Sequence, residues 1–105
     1  MSYAHFFLSF SLELMVDAAM SSKRSRIEIY LDVLNAIKRG THKPTRIMYR
    51  TNLSWKPLMR ILESMVEQGL VRVEENGNRT TYWITEKGKN VLNYFKEAMD
   101  LIEIK

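Results

Sequence analysis

Cysteine is absent from this 105-residue chain, which excludes disulfides, thiolate nucleophiles and cysteine-based zinc sites and suits a reducing compartment. Histidine is nearly absent: His5 and His42 lie far apart in sequence without paired acidic neighbours, so no metal site is expected. No glycine-rich phosphate loop occurs. The acidic pair Glu74-Glu75 falls at an expected hairpin tip, where neither desolvation nor a nearby base would tune it for proton transfer. No catalytic residue and no cofactor are assigned, and no small-molecule pocket is evident. Long apolar runs are also missing. Met1–Met20 is rich in apolar residues, but it holds His5, Glu13 and Asp17 and has no basic segment ahead of them. Neither a secretory signal nor a membrane span is expected there.

What remains is 46% apolar, enough for one modest core in one domain. No repeat, linker or low-complexity tract interrupts it. The net charge of +4 is unevenly spread. Ser21–Arg60 carries ten basic residues against Glu28 and Asp32, a net +8, which leaves the rest of the chain at −4. Such asymmetry gives one face a positive field able to steer a phosphate backbone.

The stretch Lys43–Gln68, KPTRIMYRTNLSWKPLMRILESMVEQ, reads as two helices joined by a tight turn at Thr51–Leu53. In the second, Leu58, Ile61, Leu62 and Met65 form one apolar stripe, with Lys56, Arg60, Glu63 and Glu67 opposite. The free side is basic first and acidic later, as in a helix whose leading end enters a DNA groove. Ahead of this pair, Ser25-Arg26-Ile27-Glu28 is a capping box. It should open a helix ending near Arg39, with Gly40 as a left-handed stop. That helix has two stripes, Ile27, Tyr30, Leu31, Leu34 and Ile37, then Ile29, Val33 and Ala36, so it should pack against two neighbours.

Pro44 suits a first turn, Asn52 a left-handed stop, Ser54 a cap, and Pro57 the first turn of the helix ending at Gly69. Leu70–Val73 and Thr80–Ile84 are β-prone, and Asn76-Gly77 signals a type I′ hairpin. In that register Val71 faces Tyr82 and Val73 faces Thr80, which turns Val71, Val73, Tyr82 and Ile84 inward. Glu74 and Arg79 then pair across the strands. Thr85 caps a last helix whose stripe is Val91, Leu92, Phe95, Ala98, Met99 and Ile102. Tyr94, Leu101 and Ile104 exceed what one core needs.

This order, helix, helix, turn, helix, hairpin, helix, is that of a winged helix. Lys43-Pro44-Thr45-Arg46-Ile47-Met48-Tyr49, Asn52-Leu53-Ser54, Gly69-Leu70-Val71 and Ile84-Thr85-Glu86-Lys87-Gly88 resemble the archaeal family of small winged helix-turn-helix DNA-binding proteins. The likeness covers Ser22–Ile104. It implies an α+β, mostly α, fold: a three-helix core, a β-hairpin wing and a C-terminal helix. It also implies binding to double-stranded DNA, as a transcription regulator or a nucleoid-associated cytoplasmic protein, with dimerisation through the C-terminal helix. The chain departs from the family in lacking a long C-terminal coiled coil and in carrying the apolar N-terminal stretch.

The chain therefore divides into residues 1–20, an extra apolar helix; 21–86, the winged-helix domain; and 87–105, a C-terminal dimerisation helix. Two readings of the first segment stay open. It is either a dimerisation helix or an extension upstream of the functional start, since Met20 precedes a polar Ser-Ser-Lys-Arg-Ser-Arg. The homodimer would bury Phe7, Phe10, Leu14, Leu92, Phe95, Met99 and Ile102.

Ser54, Trp55, Lys56 and Arg60 are candidates for the major groove, because a helix N-terminus suits phosphate and Lys or Arg can bond guanine. A packing role for Trp55 competes evenly. Thr45, Arg46, Tyr49 and Arg50 would hold the backbone. Arg72, Asn76, Asn78 and Arg79 would let the wing reach phosphate or the minor groove, unless Glu74 neutralises Arg79. Trp83 and Tyr94 read as protein-interface residues. The alternative function is a protein-interaction module whose basic face meets an acidic partner. RNA fits less well, since its A-form major groove does not admit a helix.

Overall fold

The computed structural model describes residues 25–102. The extra apolar helix expected over residues 1–20, with Phe7, Phe10 and Leu14, lies outside that range, as does Ile104. Within it the chain forms α1 (Arg26–Lys38), α2 (Pro44–Thr51), α3 (Trp55–Glu67), β1 (Val71–Asn76), β2 (Arg79–Ile84) and α4 (Glu86–Leu101). This is the order expected of a mostly helical winged helix.

Local chemistry sets the boundaries. The Ser25 hydroxyl accepts the Glu28 main-chain N–H at 3.2 Å and donates to the Glu28 carboxylate at 3.1 Å. The return bond of the capping box thus runs from side chain to side chain. Helices α1, α2 and α3 all stop on a left-handed residue: Gly40 at φ 105°, Asn52 at φ 57° and Gly69 at φ 73°. In each case the next N–H folds back onto the last turn, Thr41 to the Ala36 carbonyl at 3.0 Å, Leu53 to Met48 at 3.1 Å and Leu70 to Met65 at 2.9 Å. These bonds satisfy carbonyls that would otherwise lack partners.

The core draws Val33, Leu34 and Ile37 from α1, Ile47 from α2, and Leu58, Leu62 and Met65 from α3. Leu70, Val71, Tyr82 and Val91 close it. Both stripes of α1 are used, because α1 packs against α2 on one side and against β2 and α4 elsewhere. Full burial of each Leu or Ile contributes roughly 1.5–3 kcal/mol. Ile61 is half-buried against this core, while Lys56, Arg60, Glu63 and Glu67 are exposed as the spacing requires.

The hairpin register differs from the expected one by two residues. Val71 pairs with Ile84, Val73 with Tyr82, Glu74 with Thr81, and Asn76 with Arg79. The two-residue loop is therefore Gly77-Asn78. Among the described non-glycine residues only Asn52 has positive φ, so the loop has positive φ at Gly77 alone, matching type II′ rather than type I′. A slip of two preserves which side each residue faces. Val71 and Tyr82 are accordingly buried and Ile84 packs on the core, but Val73 projects past it and is 40% exposed.

The Thr85-Glu86-Lys87-Gly88 step ties α4 to the end of α3. Thr85 Oγ1 accepts the Gly88 N–H at 3.1 Å and lies 2.6 Å from the Gly69 carbonyl, to which it donates. Lys87 Nζ donates to the Gln68 carbonyl at 2.7 Å. Gly88 is buried, and a Cβ there would collide with the Leu70 carbonyl oxygen. No helix among the described residues is long and apolar enough to cross a membrane.

Candidate nucleic-acid interface

The four helices begin in two different ways. Helices α1 and α4 have side-chain caps, Ser25 and Thr85, and an acidic residue in the first turn, Glu28 and Glu86. Helices α2 and α3 have neither: Lys43 and Ser54 occupy their cap positions without a side-chain hydrogen bond, and neither first turn holds an acid. For α3 the sequence gives the reason. A cap serine bonds the N–H of the second or third helical residue, and the third is Pro57, which has none. Ser54 is thus the cap by backbone position only, a correction to the capping bond expected of it. The openings of α2 and α3 retain free N–H groups and the positive end of the helix dipole.

These two openings and the wing tip enclose a cleft of about 310 Å³ lined by Lys43, Pro44, Thr45, Trp55, Asn78, Arg79 and Thr80. It brings together four residues singled out from sequence, Thr45, Trp55, Asn78 and Arg79. It adds Lys43 and Thr80, which were missed. The signal for Lys43 was available: a lysine in the cap position immediately before Pro44 marks a helix opened by a cation. Trp55 is 46% exposed on the cleft wall and so lies outside the core. Lys56 and Arg60 are exposed along α3, and Arg46 and Tyr49 along α2, Tyr49 with 80% of its surface free. Among the described residues, none of Lys43, Arg46, Arg50, Lys56, Arg60 and Arg79 makes an ion pair.

Some candidates fall elsewhere. Arg50 lines a separate cleft of about 270 Å³ between α1 and α2, with Asp32, Asn35, Arg39 and Thr51. Arg72 is engaged: its guanidinium bonds the Glu74 carboxylate and lies 5.6 Å from the centre of the Trp83 ring. The expected Glu74–Arg79 pair does not form, because the register sets Glu74 opposite Thr81 and turns its carboxylate to Arg72. Asn76 is exposed at the loop, paired with Arg79. Trp83 is covered rather than open, stacked by His42 at 3.7 Å with its N–H donated to Thr81 at 2.9 Å. Along α4, Leu92 and Phe95 pack against the chain's own core. Tyr94, Met99, Leu101 and Ile102 remain exposed.

Two tyrosines buttress the interface from behind. The Tyr30 hydroxyl donates to Ser64 at 2.6 Å and accepts from Gln68 at 3.2 Å, joining α1 to the tail of α3. Burial raises its pKa above the ordinary 10.0. Burial, aided by the Glu75 and Glu63 carboxylates, does the same to Tyr82.

The chain is 29% identical over 83 residues to an uncharacterised protein of Methanocaldococcus jannaschii, covering 79% of this chain and 81% of that one. A second uncharacterised protein of the same organism is 32% identical over 82 residues, covering 78% of this chain but only 37% of the longer relative. Among solved structures, Sso10a-2, a DNA-binding protein from Sulfolobus solfataricus, superposes with a TM-score of 0.65 at 25% identity, over 74% of this chain and 81% of its own. The model of one family matches residues 23–103, which takes in every described element. By that match, and by the helix order and wing already described, the chain belongs to the winged helix-turn-helix family.

Proposed function

We propose that this protein is a transcription regulator that binds duplex DNA, with the leading end of α3 in the major groove and the wing tip on the adjoining backbone. The observation that carries this reading is the cleft where two uncapped helix N-termini meet Lys43 and Arg79. Free N–H groups, helix dipoles and unpaired cations converge there, and all of them favour an anion. Lys56 and Arg60, one turn apart on α3, supply donors suited to guanine O6 and N7. The DNA-binding description of Sso10a-2 agrees with this.

The protein acts as a homodimer. Met99, Leu101 and Ile102 leave an apolar surface toward the end of α4 that its own core does not cover, and a second copy would bury it. Two recognition helices would then read paired half-sites about one helical turn apart.

The deciding experiment is a gel shift over a series of salt concentrations with specific and random duplexes, beside a measurement of oligomer mass. Three unpaired cations on phosphate, Lys43, Arg46 and Arg79, give a slope of log affinity against log salt of about −3 per protomer. Lys56→Ala with Arg60→Ala should weaken binding strongly, and unchanged affinity removes α3 from the groove. A regulator should prefer its site over random duplex by roughly a thousandfold or more. No preference at all would make it a nucleoid protein.

A further inference from the structure

His42 belongs to none of the binding surfaces described above, yet it is held by two hydrogen bonds and a ring stack. It lies in the short link between α1 and α2, next to Lys43. Its carbonyl accepts the Tyr82 N–H at 2.9 Å, and its ring Nδ1 lies 2.9 Å from the Tyr82 carbonyl. A carbonyl can only accept, so Nδ1 carries the hydrogen. One residue thereby satisfies both main-chain groups that Tyr82 turns away from β1. It acts as a one-residue third strand in which a side chain supplies the donor.

The same imidazole stacks on Trp83 at 3.7 Å and 23°. The Trp83 N–H is fixed by Thr81, and its ring lies near the Arg72 guanidinium. The root of the wing is therefore fastened to the start of α2 through bonds and a stack that share one ring.

We infer that His42 is a positioning residue for DNA binding, setting the angle at which the wing tip faces the openings of α2 and α3. This rests on the DNA-binding reading above. A two-stranded ribbon is marginal without further support. Arg79 lies three residues beyond Tyr82, roughly 10 Å along the strand. A pivot of about 10° at the root moves the tip by roughly 2 Å at that lever arm, enough to break a charge-assisted hydrogen bond. His42 removes this pivot, so Arg79 and Asn78 reach phosphate only while the root is clamped.

The test is a double-mutant cycle on the full chain, read by duplex affinity at low salt and well below the melting temperature. In the wild type, Arg79→Ala should cost about tenfold, the scale of one charged contact. In a His42→Ala background the same change should cost less than twofold. His42→Asn, which keeps a donor near the position of Nδ1 without the stack, should restore part of the Arg79 effect, and it serves if the alanine variant fails to fold. Equal cost of Arg79→Ala in both backgrounds means that His42 only stabilises the fold, and overturns the inference. A second readout is emission. With Trp55→Phe leaving Trp83 as the sole tryptophan, removing His42 should relieve quenching by the stacked imidazole; unchanged emission overturns the clamp. A wild-type chain that shifts no duplex defeats the DNA reading instead, and the emission then judges the clamp separately.

Discussion

Replacing Ser54 with aspartate should make the protein more stable and a poorer DNA binder. Ser54 occupies the cap position of α3 with extended backbone angles, φ −81° and ψ 163°, but its hydroxyl caps nothing. Pro57 has removed one of the two N–H groups a cap could use. A carboxylate there can still bond the Lys56 N–H and meets the positive end of the helix dipole, which contributes about 0.3–1 kcal/mol. For a domain of this size that raises Tm by roughly 2–6 °C. If a DNA phosphate approaches the opening of α3, the new charge lies about 5 Å from it. Repulsion then costs about 1–3 kcal/mol at the effective dielectric of a protein surface, roughly a five- to hundredfold loss of affinity. Ser54→Asn separates the two effects, since it can cap without charge and should bind within about threefold of wild type. Circular dichroism melts and a gel shift at low salt measure both quantities. Wild-type affinity in the aspartate variant would refute the argument, because it would mean that no phosphate comes near the leading end of α3.

Gly88→Ala should destabilise the fold by about 1–3 kcal/mol, since its Cβ meets a main-chain carbonyl that cannot move aside; a melting temperature equal to wild type in a thermal melt would show that α4 can shift freely. Tyr30→Phe should cost about 1 kcal/mol by removing its hydrogen bonds with Ser64 and Gln68, which keep only each other, measured by urea unfolding at neutral pH. Because burial raises the folded-state pKa of Tyr30 above 10.0, its contribution is complete below that pH and is lost as pH climbs through the folded value. The stability of the phenylalanine variant should therefore fall less steeply above pH 10 than that of the wild type. Met99→Glu with Ile102→Glu should leave the melt nearly unchanged while halving the mass seen by light scattering, as both side chains are exposed in the single chain; an unaltered mass would send the search for a dimer surface elsewhere.

How much of this was legible in the sequence follows from the range of each interaction. Ser25, Asn52, Gly40 and Gly69 were readable because caps and left-handed stops are decided within a few residues. The apolar stripes were readable because burial follows helix period. The hairpin register was not: pairings that differ by two residues turn the same side chains inward, so the alternation of Val71, Val73, Tyr82 and Ile84 cannot choose between them. Trp83 looked outward because its alternation is outward. What covers it, His42, is 41 residues away and carries no local signal. Arg72 looked like a free cation for the same reason, although Glu74, two residues along the same strand, was the nearer partner than the Arg79 pairing considered. Of the candidate site, the basic openings of α2 and α3 could be read from Pro44, Ser54 and the surrounding charge. The cleft that joins them to the wing depends on how the hairpin folds over, which no short pattern encodes.

The distribution of fastenings along α3 is itself informative. Its tail carries the Tyr30–Ser64–Gln68 bonds, the Gly69 stop, and the Thr85 and Lys87 bonds to the Gln68 and Gly69 carbonyls. Its head carries no cap and no acid. A helix needing only to be stable would gain more from the missing cap, worth about 0.5–2 kcal/mol, than from a further bond at an end already secured. Concentrating the fastenings at one end holds the axis of α3 rigid while the other end stays open, with its donors unspent. On the proposed DNA-binding reading, the stability forgone at the head would be recovered when a phosphate takes the place of the cap. Binding should therefore raise the melting temperature of the wild type more than that of any variant capped at position 54, and the difference between those two shifts measures how much of the affinity comes from the open end of α3.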